Sequence, residues 1–301
     1  MKKNKPNILF ILSDQHAFNV IGSYGNKIIR TPHLDELANN GVSFDNVYTP
    51  SPICLPARMS LLTGKFPFRQ NCWTNSDSLA SDIPTMAHSL GAAGYNPSLI
   101  GRLHSIGPDQ LHGFASREVF DHCSDWYGGS DYSLGVLDKA QRPFKESIVN
   151  SGPGQMSYEI LDQEVTNQTT SFLKKVGAEK ENGNEKPFAL QVGFMLPHQP
   201  YVANQKLFDY YKNKVGPPRL KRAASGNNDW LDQWREQTGL NEIKEEDEIR
   251  ARIAYYALVE TLDSFIGQII KTLKECNLLD NTLIIYASDH GEQIGERDLW
   301  W

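Results

Sequence analysis

The sequence predicts an α/β fold, with a mostly parallel central sheet flanked by helices on both faces. Three observations predict it. Continuous apolar runs of strand length recur along the chain, and such runs suit central strands covered on both sides. They alternate with amphipathic helical stretches, the pattern of parallel strands joined by crossovers. Each run also ends on polar residues able to do chemistry, as expected where a site lies outside the carboxyl ends of the strands. The 301 residues, 40% hydrophobic and 22% charged, are enough to bury a large core.

In chain order, Asn7 to Leu12 is the first apolar run and leads into Ser13-Asp14-Gln15-His16. Thr31 to Gly41 carries a Thr cap, Pro at the first helical position and Gly at the end, which predicts a short helix. Val42 to Tyr48 alternates and predicts a strand leading to Cys54. Thr85 to Ala93 reads as a helix stopped by Gly94, followed by a strand over Tyr95–Ile100 that runs into Gly101-Arg102-Leu103-His104. Residues from Ser105 to about Met156 lack periodicity and read as an irregular surface insertion. Ser157 to Val176 predicts a helix with Ile160, Leu161, Val165, Thr169, Phe172, Leu173 and Val176 on one face, and Gly177 to Lys186 a polar linker. Pro187 to Phe194 is a strand ending at Pro197-His198-Gln199-Pro200. A second insertion is expected over about 199–248, polar from 212 onward. Ala251 to Cys276 is the clearest helix, with a stripe from Ala254 to Leu273, and Thr282 to Ala287 is a strand ending at Ser288-Asp289-His290.

Composition narrows the function. The formal net charge is −6 and no dense Lys/Arg run occurs, so there is no electrostatic footprint for nucleic acid or an anionic membrane. No apolar run approaches the ~20 residues of a membrane span. The four cysteines, at 54, 72, 123 and 276, fit neither a disulfide framework nor a C-x-x-C zinc pair, so a reducing compartment is expected. The apolar run after the basic N-terminus is short for a signal sequence, which favours a cytoplasmic location, or a periplasmic or secreted one if a signal was removed.

The chemistry centres on Cys54-Leu55-Pro56-Ala57-Arg58. The prolines before Cys54 disfavour helix, while Ala57, Met59, Leu61 and Leu62 favour it, so Cys54 is expected at a helix N-terminus. Backbone N–H groups there favour an anion, and Arg58 adds positive charge. If the strand ends converge, Asp14, Gln15 and Asp289 offer hard oxygen ligands beside His290, a set suited to Ca²⁺, Mg²⁺ or Mn²⁺. A thiolate among them does not suit a hard cation. Either the metal is softer, such as zinc, or Cys54 does not act as a thiol.

Five stretches together resemble the sulfatase family of the alkaline-phosphatase-like superfamily: Pro6 to Gln15, Cys54 to Arg58 with Leu62-Thr63-Gly64, Gly101 to His104, Pro197 to Pro200, and Ser288 to Glu292. The resemblance implies an alkaline-phosphatase-like fold and hydrolysis of a sulfate ester or sulfamate. It implies that Cys54 is converted to formylglycine by a maturation enzyme, and that the hydrated aldehyde attacks sulfur. Asp14, Gln15, Asp289, His290 and the modified Cys54 would surround one divalent metal, calcium first, with magnesium or manganese as alternatives. Arg58 would stabilise the nucleophile, His104 would hold the diol and assist its breakdown, and His198 would contact the sulfate or leaving oxygen. Arg102 and Asn75 are the substrate-contact candidates.

The chain departs from the family pattern at Arg102, where Lys is usual, and at Gln15, where many relatives have Asp. Arg is not equivalent to Lys at a bidentate site. The family also has a sulfate-binding Lys just beyond the point where this chain stops at Asp298-Leu299-Trp300-Trp301, and a smaller C-terminal subdomain after it. One truncated catalytic domain over 1–301 is therefore expected. The competing readings are a phosphonate monoester or phosphodiester hydrolase of the same superfamily, and an inactive fragment or non-catalytic homologue. The substrate, a sulfated small molecule or carbohydrate, would be selected by the two insertions. Their aromatics Trp126, Tyr127, Tyr132, Tyr201, Trp230 and Trp234 are candidates to stack on a sugar. His16, His33, His88, His112 and His122 are read as structural.

Overall fold

A computed structural model describes residues 5–121, 139–183, 186–220 and 229–301. The four apolar runs are strands: β1 (Asn7–Ser13), β2 (Pro97–Gly101), β5 (Ala189–Gly193) and β7 (Thr282–Ser288). A further strand, β3 (Ser116–Glu118), lies beyond β2. The order is β3-β2-β5-β1-β7 and every pair is parallel. Two short segments, β4 (Gly152–Pro153) and β6 (Val202–Ala203), form a separate parallel pair.

The helices are α1 (Pro32–Asn39), α2 (Cys54–Thr63), α3 (Met86–Ala92), α4 (Glu146–Val149), α5 (Ser157–Glu181), α6 (Gln205–Tyr211), α7 (Asp229–Thr238) and α8 (Glu245–Glu275). Successive strand residues point to opposite faces, and β2 shows what each face meets. Ile100 joins the large core with Leu9, Ile11 and Val192 under α5 and α8, whereas Leu99 packs with Leu55, Met59, Leu62 and Ala87 under α2 and α3. Helices therefore cover both faces, as expected. No described helix is long and apolar enough to cross a membrane. Cys54, Cys72 and Cys276 are free thiols among the described residues.

Several expectations need correction. Val42 to Tyr48 forms no strand; Val42, Phe44, Val47 and Tyr48 are 67–85% exposed. Alternation makes a strand only where a neighbour supplies ladder hydrogen bonds and a face to pack on, and this stretch has neither among the described residues. The polar linker after residue 176 is helical as far as Glu181, because α5 continues through it. On α5 itself Ile160 is exposed while Asp162 is fully buried.

The first insertion is not simply surface. It supplies edge strand β3 and buries Ala140, Ile148 and Met156. In the second, Phe208, Tyr211 and Val215 recur at helical spacing and join the core. Tyr201 is fully buried against Tyr255 and Trp300 and cannot stack on a sugar. Trp230 is exposed and stacks on Trp234. His122, Cys123, Trp126, Tyr127 and Tyr132 lie outside the described residues.

Candidate active site

Sheet register brings the strand ends together. Leu12 pairs with Gly193, Gly193 with Gly101, and Ser13 with Ser288. Asp14 and Asp289 are thus the next residues of two adjacent parallel strands. The approach of β2 and β5 depends on glycine: a Cβ on Gly193 would sit 2.0 Å from the Arg102 carbonyl oxygen. Immediately past the strands, Gln15 (φ 65°) and His104 (φ 58°) adopt left-handed backbone, a strained conformation for such residues that tends to mark functional sites.

Cys54 is the first residue of α2, which ends in a left-handed Gly64. Asn75 Oδ1 accepts the free Leu55 N–H at 2.9 Å and so caps the helix mouth. One turn on, Arg58 is 1% exposed and reaches the carboxyl ends of both strands. Its Nε donates to Asp289 Oδ2 at 2.8 Å and its Nη2 to Asp14 Oδ2 at 3.1 Å. The carbonyl oxygens of Arg102 and Ser13 accept its remaining bonds. A buried guanidinium is tolerable only when paired in this way.

One ligand atom each from Asp14, Cys54, Asp289 and His290 lies within 4.8 Å of the others, and all four residues are buried. Ligands 2.3–2.6 Å from one cation lie at most about 5 Å apart, so the set fits a single divalent metal. Cys54 Sγ is 3.1 Å from His290 Nε2 and 3.5 Å from Asp14 Oδ1. His104 and His198 also flank this thiol and favour its ionised form.

The charges are balanced between these groups. Burial pushes the Asp14 carboxyl upward, but Arg102 and Arg58 more than reverse this and hold it well below the usual carboxylate range. Burial and the Asp14 charge push Asp289 up against the pull of Arg58. Burial and Asp14 oppose ionisation of Cys54, yet His290, His104 and His198 together bring the thiol well below its usual value. Despite burial, neighbouring anions raise both His198 and His290. The centre therefore stabilises negative charge at position 54 and favours the protonated forms of His198 and His290 beside it.

The other candidates sit at the rim of this cluster. Arg102 Nε donates to Asp14 Oδ2 at 2.5 Å, and its Nη2 is 2.8 Å from His104 Nδ1, so its described partners are protein groups. Gln15 donates its backbone N–H to Asp289 Oδ1, while its side-chain nitrogen turns to Gln199, Tyr201 and Glu292. Asn75 is exposed at the helix mouth. Of the histidines read as structural, His16 is buried between the Tyr286 hydroxyl and the Val20 carbonyl, and His112 between Ser105 and Asp109.

Sequence reasoning missed three buried acids that support the site. Asp121 accepts the N–H groups of Leu103 and His104 and a 2.6 Å bond from Arg117, fixing the turn that carries His104. Asp162 accepts the N–H groups of Met195 and Leu196, anchoring the loop that carries His198. Its signal was an acid falling on the buried stripe of α5 with Tyr158, Val165 and Thr169. Glu292 holds Gln15. Asp121 gave no signal, because nothing in its neighbourhood is periodic.

The sulfatase family model matches residues 6–300. The choline-sulfatase of Rhizobium meliloti (strain 1021) is 33% identical over 324 residues, covering 100% of this chain and 60% of that protein. The arylsulfatase of Clostridium perfringens (strain 13 / Type A) is 28% identical, covering 98% of this chain and 64% of that protein. The solved phosphonate monoester hydrolase of Agrobacterium radiobacter superposes with a TM-score of 0.72 at 22% identity, covering 99% of this chain and 65% of that one. This last likeness concerns the fold alone. The chain spans about three-fifths of the length of the curated relatives it matches.

Proposed function

The chain belongs to the sulfatase family, and from that premise we propose that it carries the catalytic centre of a sulfuric ester hydrolase. The observation that carries this reading is the buried Asp14–Cys54–Asp289–His290 cluster, with His104 and His198 on Cys54. When present, a formylglycine made from Cys54 by a maturation enzyme would supply a hydrated aldehyde as nucleophile, and a divalent cation would supply Lewis-acid charge beside it. Calcium is the first candidate, since two carboxylates and an amide oxygen are hard ligands, with magnesium or manganese next.

The chain's own residues have separate tasks. Asp14, Asp289, His290 and the side-chain amide oxygen of Gln15 would hold the cation. Arg58 keeps both aspartates oriented through their Oδ2 atoms, and Arg102 clamps Asp14 from the other side. The α2 N-terminus and the arginines favour the sulfate oxyanion. His198, which holds its proton more firmly than usual, donates to the leaving alcohol oxygen. Once position 54 carries the modification, His104 would take the proton of its second hydroxyl as the aldehyde re-forms and the C–O bond to sulfate breaks. Burial excludes bulk water from these exchanges.

Among substrates, choline sulfate comes first, because the relative named for it is 33% identical to this chain. Aryl and carbohydrate sulfates follow. The test is mass spectrometry of the Cys54 peptide from protein made with a maturation enzyme. Sulfate release is then assayed from choline sulfate, an aryl sulfate and, on the same preparation, a phosphonate monoester. Sulfate release by protein carrying an unmodified thiol would overturn the mechanism, and preference for the phosphonate would overturn the substrate class.

A further inference from the structure

We infer that Glu292 is a positioning residue that decides which end of the Gln15 amide faces the cation cluster; this rests on the proposed reading of Gln15 with Asp14, Asp289 and His290 as a divalent-cation site. An amide is an ambiguous ligand: its oxygen can hold a cation and its NH₂ cannot. The side chain's other hydrogen bonds have to settle the choice.

Gln15 Nε2 is surrounded by oxygens. It lies 2.8 Å from Gln199 Oε1, 3.4 Å from the Tyr201 hydroxyl, and in contact with Glu292 Oε2. These neighbours are not equally selective. The Gln199 amide can rotate and present its own NH₂, and a hydroxyl can donate or accept. A carboxylate only accepts. Glu292 is thus the group that enforces one orientation, with NH₂ toward itself and the carbonyl oxygen left for the cluster.

Glu292 is well placed to enforce it. The residue is 9% exposed. Its Oε1 accepts the backbone N–H groups of Ile294 at 3.0 Å and Trp301 at 2.8 Å, and its Oε2 accepts the Tyr201 hydroxyl at 3.0 Å. Tyr201 is itself fully buried between Tyr255 and Trp300. Through its Oε1 the carboxylate is therefore fixed by two backbone N–H groups that do not depend on Gln15. The same geometry accounts for an amide rather than an acid at position 15: a second carboxylate there would face Glu292 with like charge.

The test is calorimetric titration of the metal-stripped full chain with Ca²⁺ and, separately, Mn²⁺, with circular dichroism to verify folding. Glu292→Gln, close in shape, presents a competing NH₂ and is expected to weaken binding 10- to 100-fold, the usual cost of losing an outer-shell partner. The reciprocal double variant Gln15→Glu/Glu292→Gln restores one acid and one amide across the contact, and is expected to bind at least as tightly as wild type. Glu292→Gln binding within twofold of wild type overturns the role of Glu292 and leaves the cation site standing. A double variant as weak as Glu292→Gln overturns the orientation lock in favour of a general structural role. No cation binding by wild type overturns both the lock and the site.

Discussion

The two faces of the sheet are stabilised by different means. Under α5 and α8, β1, β2 and β5 bury Leu9, Ile11, Ile100, Leu190 and Val192 against a broad apolar core that includes Leu258, Leu262, Ile266 and Ile269. Under α2 and α3 the apolar cluster is small: Leu55, Met59, Leu62, Cys72, Leu79, Ala87, Leu99, Leu103 and Phe114. There α2 is held as well by charge, with Arg58 paired to two aspartates and Asn75 capping the first turn. The first face ties stability to area removed from water. The second ties stability to charged groups that the proposed mechanism also uses, so removing such a charge on the α2 side should damage structure and function together, whereas a loss from the core on the α8 side should damage structure alone.

The largest expected effect separates the chemistry at position 54 from the charge pairs around it. Cys54→Ala should reduce sulfate release to background while leaving the circular dichroism spectrum unchanged, because it removes the modification site without removing a charge partner of Arg58. Arg58→Ala should do both kinds of damage. Stranding buried carboxylates costs about 3–5 kcal/mol, read as a lower urea midpoint together with lost activity. Leu262→Ala on the opposite face should cost about 2–5 kcal/mol yet leave the turnover of the folded fraction close to wild type. If Arg58→Ala proves no more harmful to the active fraction than Leu262→Ala, the contrast between the faces is wrong.

Next in size is acid sensitivity at the strand ends. Burial lowers His16 from 6.5 to about 4. Above pH 6.5 both folded and unfolded chains are neutral there, and the full contribution is present. Between pH 6.5 and about 4 the unfolded chain takes up the proton and the folded one does not, so stability falls as pH falls, by about 3 kcal/mol in all at 1.36 kcal/mol per unit. Urea midpoints of wild type and His16→Gln should therefore converge as pH drops from 7 to 4; parallel profiles would remove His16 from the account. The smallest effect concerns Asn75. Asn75→Ala should cost about 0.5–2 kcal/mol as a lost cap, and Asn75→Asp should keep the cap. An unchanged KM in Asn75→Asp alongside a raised KM in Asn75→Ala would assign Asn75 to positioning α2 rather than to gripping substrate.

Local pattern made the main framework legible. The apolar runs at β1, β5 and β7, the helix signals around α1 and α3, and the proline-to-helix switch at Cys54 are properties of short stretches, and each appears where expected. The residues that end those strands were legible for the same reason, since parallel strands present their carboxyl ends together. The strand expected over Val42–Tyr48 failed because a strand is also a relation to a neighbour. The first insertion read as surface because single apolar residues such as Ile148 and Met156 acquire a core only when the rest of the chain packs against them.

By itself, then, the sequence determined which residue types stand at the strand ends and at the mouth of α2, because backbone propensity and side-chain period are local. Only the tertiary structure decided the register that sets Ser13 beside Ser288, and the double reach of Arg58. It alone assigned Asp121, Asp162 and Glu292 to hold His104, the His198 loop and Gln15. Those pairings join residues far apart in the chain, and no local propensity encodes which buried donor will need which acceptor once both have left water.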